Sequence, residues 1–134
     1  MRKRGTTMPI QKRTKGRFTI YDVKKGTAEP VSEVIAMLRG EPAPRHDDQI
    51  MVDLTSMKPS KLTGIHTLIT DMPYQGKVNK VVFAVPDSLV DETNKAARQH
   101  TESTPYYVPG NPEHARPTYL VVNKTQATVM ASLA

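Results

Sequence analysis

From Phe18 to Val23 the chain alternates between β-forming apolar residues and single polar ones, Thr19 and Asp22. Near-period-two patterning of this kind predicts a strand. Lys24-Lys25-Gly26 reads as a turn, and Pro30 suits the first position of a helix. Val31, Val34, Ile35 and Leu38 then recur at i, i+3, i+4 and i+7, the spacing of one helical face, and Gly40 follows as a stop.

Glu41–Asp48 holds two prolines and reads as a loop. A second strand is predicted over Ile50–Leu54, and a basic turn runs through Lys58-Pro59-Ser60-Lys61. Ile65–Thr70 alternates weakly and predicts a short peripheral strand. Val81–Val85 is a continuous apolar run, the signature of a strand buried on both faces.

Pro86 and Asp87 open the longest helical pattern. Its apolar positions are Leu89, Val90, Thr93, Ala96 and Ala97. Asp91 and Glu92 stand early and Lys95, Arg98 and His100 late, an order that suits the helix dipole. A Pro-rich loop is expected over 101–117, and Tyr119–Val122 is a last strand. The apolar tail from Ala127 to Ala134 is compatible with a strand, a helix or a docked segment.

The predicted order is β-α-β-β-β-α-β. It implies an α+β fold of two layers, with two helices on a mixed sheet of four to five strands. With one edge strand removed, this is the order of a ferredoxin-like variant. The expected organisation is an extended basic arm over 1–17, a single domain over 18–134 and an apolar C-terminal tail.

Charge changes the picture at one end only. Arg2, Lys3, Arg4, Lys12, Arg13, Lys15 and Arg17 all precede the first acid, Asp22. The chain as a whole carries 19 basic and 13 acidic residues, a formal charge of +6. Outside the arm, the basic and acidic residues nearly cancel. An acid-free basic run is too polar to bury a core and repels itself into an extended form. These seven residues are the candidate nucleic-acid contacts, because Lys and Arg release counterions when they meet phosphates.

Other chemistry is thin. The chain has no Cys and no Trp, which excludes disulfides and thiolate metal sites. No stretch is long and apolar enough for a transmembrane helix, and no apolar segment follows the charged start as in a secretory signal. Neither a P-loop nor a G-x-S-x-G elbow occurs. His46, Asp47, Asp48 and Asp53 form the one grouping with metal-binding residue types, but their spacing specifies no coordination geometry. No catalytic residue, metal or cofactor is therefore assigned. Tyr106 and Tyr107 form an aromatic pair in the Pro-rich loop and are the candidate partner-binding residues. An RNA-recognition domain would need two aromatics and a glycine near Lys80–Val85, where only Phe83 stands.

These features point to a non-enzymatic structural or interaction protein, a small virion or nucleoprotein component. Its arm would contact nucleic acid or an acidic neighbouring subunit. Self-association or membership of a larger assembly is expected, with no membrane partner and a cytoplasmic or virion location. A soluble DNA- or RNA-binding regulator is the alternative. A small metal-dependent nuclease using His46, Asp47 and Asp48 is the third reading.

Overall fold

Strands β1 (Ile10–Lys15), β2 (Phe18–Val23), β3 (Gln49–Asp53), β4 (Lys80–Ala84) and β5 (Thr118–Val122) form one sheet in the order β1-β2-β3-β4-β5. β1 pairs with β2 antiparallel, and the remaining neighbours are parallel. Four α-helices occur among the described residues: α1 (Pro30–Gly40), α2 (Ile65–Thr70), α3 (Val90–Ser103) and α4 (Lys124–Leu133). Two 3₁₀ turns, Pro59–Leu62 and Asp87–Leu89, precede α2 and α3. The computed structural model describes residues 10–16, 18–40, 49–70, 80–103 and 118–133.

This is an α/β protein, which corrects the expected α+β fold and its ferredoxin-like order. Parallel neighbours cannot be joined by a hairpin, so each needs a crossover. α1, α2 and α3 supply the three crossovers from β2 to β5. Crossovers of one hand in a sheet that advances in one direction fall on one face. Accordingly, side chains of all three helices share a core with Tyr21, Val23, Ile50, Val52, Val81 and Phe83. α4 lies on the opposite face, where Ala127 and Ala131 pack with Ile20, Met51, Val82 and Val122. The expected two layers are therefore three.

The segment Ile65–Thr70 is a helix, not the predicted strand. Ile65, Leu68 and Ile69 are buried at i, i+3 and i+4, while His66 and Thr70 are exposed. A run this short fits either period, and its neighbours decide between them. Gly64, at φ +84°, allows the backbone reversal that opens the helix, and its carbonyl accepts the Thr67 amide at 2.8 Å.

The helical faces predicted for α1 and α3 are the buried ones. Val34, Ile35 and Leu38 are covered on α1, and Leu89, Thr93 and Ala97 line the inner side of the segment that leads into α3. Val81–Val85 is fully buried, as expected of an internal strand. Phe83 meets Tyr119 of β5 with ring centroids 6.0 Å apart, at 55°.

The C-terminal tail is helix α4. Asn123 caps it: its side-chain oxygen accepts the Gln126 amide at 2.9 Å, and Gln126 accepts the Asn123 amide at 3.0 Å. This reciprocal pair is a capping box.

Candidate nucleic-acid interface

Within the arm predicted over 1–17, Ile10–Lys15 form strand β1 at one edge of the sheet. Lys15 pairs with Phe18, and Gly16, at φ 60°, supplies a positive dihedral of the kind a tight hairpin connection demands. Only Ile10 of β1 is buried, packed in the core shared by the three crossover helices. Gln11, Lys12, Arg13, Thr14 and Lys15 are exposed.

The pleat divides the cations of β1 between two faces. Lys12 stands opposite Tyr21, on the face of α1–α3, whereas Arg13 and Lys15 stand opposite Ile20 and Phe18, on the face of α4. Arg13 donates from Nε to Asp22 Oδ2 at 2.6 Å. Asp22 thus offsets part of the charge that Arg13 presents. Of the seven residues predicted to meet nucleic acid, the structure brings Lys12, Arg13 and Lys15 together on one edge. Arg2, Lys3, Arg4 and Arg17 lie outside the described residues, as do Tyr106 and Tyr107.

β1 runs antiparallel to β2, with Ile10 beside Val23. Ile10 therefore stands at the carboxyl end of the parallel strands. Lys24 and Lys25 follow Val23 at this same end. A tight turn holds them there: Thr27 donates from its amide and its hydroxyl to the Lys24 carbonyl at 3.1 and 2.7 Å. Gly26, at φ 98°, takes the third position of this turn, where a side chain would be strained.

The metal reading gains nothing from Asp53. Its Oδ1 accepts both the amide and the hydroxyl of Thr55, at 2.9 and 2.6 Å, and so closes the turn after β3. His46, Asp47 and Asp48 lie outside the described residues. Among the described residues, no three His, Asp or Glu side chains gather as a metal site.

A cleft of about 220 Å³ opens between the start of α1 and the Pro59–Leu62 turn. Glu29, Pro30, Ser32, Ser60, Lys61 and Thr63 line it. It follows β2 and β3, at the end of the sheet where α/β proteins usually hold ligands. Two features weaken it as a site. The Glu33 carboxylate already accepts the Glu29 amide at 3.0 Å, at the helix start. The sheet also advances from β2 to β5 without reversal, so no crevice forms between diverging crossovers.

Among the described residues, no helix is long and apolar enough to cross a membrane. No protein-family model matches the chain, and no curated protein or solved structure shows significant similarity to it.

Proposed function

We propose that this chain is a non-enzymatic interaction protein, a small component of a nucleoprotein or virion assembly, that docks through its basic N-terminal segment. The observation that carries this reading is β1. Five of its six residues are exposed, and three of those are Lys12, Arg13 and Lys15. The sheet thus presents the cations on a fixed edge. The acid-free sequence from Met1 to Tyr21 extends the same sign of charge on both sides of the strand. Anionic polymers bind such a surface by displacing counterions, and this needs no base-specific contact.

The experiment is fluorescence anisotropy of the full chain with single- and double-stranded DNA and RNA, across a salt series. With about five to seven phosphate contacts, the slope of log K against log salt is roughly −4.5 to −6 on duplex DNA. Binding that is absent at low salt, or that ignores salt, overturns the nucleic-acid arm of the proposal. Light scattering with and without nucleic acid reports whether the protein assembles. A monomer under both conditions overturns self-association.

A further inference from the structure

Resting on the reading just given, we infer that the protein partner in such an assembly is an acidic extended segment that adds to β1 as a sixth strand. β1 is an edge strand, and no other strand among the described residues pairs with its outer side. Alternate residues of an edge strand turn their amide and carbonyl outward, which is the geometry a further strand continues. A peptide strand supplies that continuation and meets the cations together. A phosphate chain meets the cations but does not continue the ladder. Strand addition draws affinity from main-chain hydrogen bonds and selectivity from the side chains opposite.

Those side chains select the partner's charge. Cross-strand pairs of opposite charge are favourable, and like charges directly opposite are unfavourable. An acceptable strand carries Glu or Asp opposite Lys12, Arg13 and Lys15, with β-forming residues elsewhere. The same rule disfavours antiparallel pairing with a second copy of β1. In any antiparallel self-pairing that overlaps five or six of its residues, Lys12 faces Lys12, Lys12 faces Arg13, or Arg13 faces Arg13. The cations that disfavour this self-pairing are those that admit an acidic strand.

The test uses the full chain, isotopically labelled, with three probes. They are the blocked hexapeptide Glu-Thr-Glu-Glu-Thr-Val, its counterpart with Lys in place of Glu, and a single-stranded DNA oligonucleotide. Amide shifts and hydrogen exchange are read across β1. The acidic peptide is expected to slow exchange of the outward β1 amides, and the Lys peptide to leave them unchanged. In K12Q/K15Q, with the fold checked by circular dichroism, the acidic peptide is expected to bind on the order of tenfold more weakly. Acidic-peptide binding without β1 amide protection overturns the inference. So does equal protection by the Lys peptide. If only DNA perturbs β1, strand addition is wrong and the docking reading of the edge stands. If no probe perturbs β1, both fall.

Discussion

Arg13 and Asp22 join β1 to β2 diagonally, Nε to Oδ2 at 2.6 Å, across a register in which Arg13 faces Ile20 and Asp22 faces Gln11. The first acid of the chain is therefore engaged by the basic strand. Arg13 is 49% exposed and Asp22 21%, so water screens the pair, and its contribution to stability is at most about 1 kcal/mol. Its larger effect is on the charge of the edge.

Asp22→Asn is accordingly expected to leave the urea midpoint nearly unchanged and to tighten binding of nucleic acid at low salt. Anisotropy on the wild type and the variant checks this. Weaker binding by the variant would mean that Asp22 holds Arg13 in its binding pose.

Replacing Lys12, Arg13 and Lys15 with Gln leaves up to three phosphates without a cation. The salt slope on duplex DNA is expected to flatten by roughly 2 to 3, about one for each phosphate no longer neutralised. An unchanged slope places the phosphate-binding residues elsewhere on the chain.

Deletions of the N-terminal segment are expected to differ in kind. Removal of residues 1–9 leaves every described strand in place, so the melting temperature should hold. Removal of residues 1–17 deletes β1, exposes the edge of β2 and uncovers the core at Ile10. A clear drop in melting temperature should follow for the longer deletion alone. Equal melting temperatures would show that β1 adds nothing to the stability of the sheet.

Phe83 has no exposed surface and lies on an internal strand, in contact with Tyr119. Phe83→Ala is expected to cost on the order of 3–5 kcal/mol in denaturant unfolding. A loss below about 1 kcal/mol would contradict its place in the core.

Asn123→Ala removes the acceptor for the Gln126 amide and should cost about 1 kcal/mol. Asn123→Asp retains the acceptor and should stay near wild type. If both variants lose equally, the side chain does not act as a cap.

Much of this fold is legible from local chemistry. The buried faces of α1 and α3 are visible as apolar residues three and four apart, and the burial of Val81–Val85 as an unbroken apolar run. The Lys24–Thr27 turn is marked by its glycine. The apolar pattern of the tail leaves strand, helix and docked segment open, and the overlooked local signal is the Asn123…Gln126 capping spacing. The acid-free start is equally plain.

Partnership between distant segments is not written locally. Ile65–Thr70 holds too few residues to separate a period of 2 from one of 3.6, and it becomes a helix because it must cross from β3 to β4. Ile10 alone carries β1 into the core, since one buried residue in six is no pattern. Hydrogen bonds to β2 and the diagonal ion pair with Asp22 complete the strand. Composition determined that the N-terminal segment is basic and the body neutral. Only the tertiary structure decided that three of those cations stand in register on a sheet edge, because strand pairing depends on a neighbour's backbone and not on the strand's own residues.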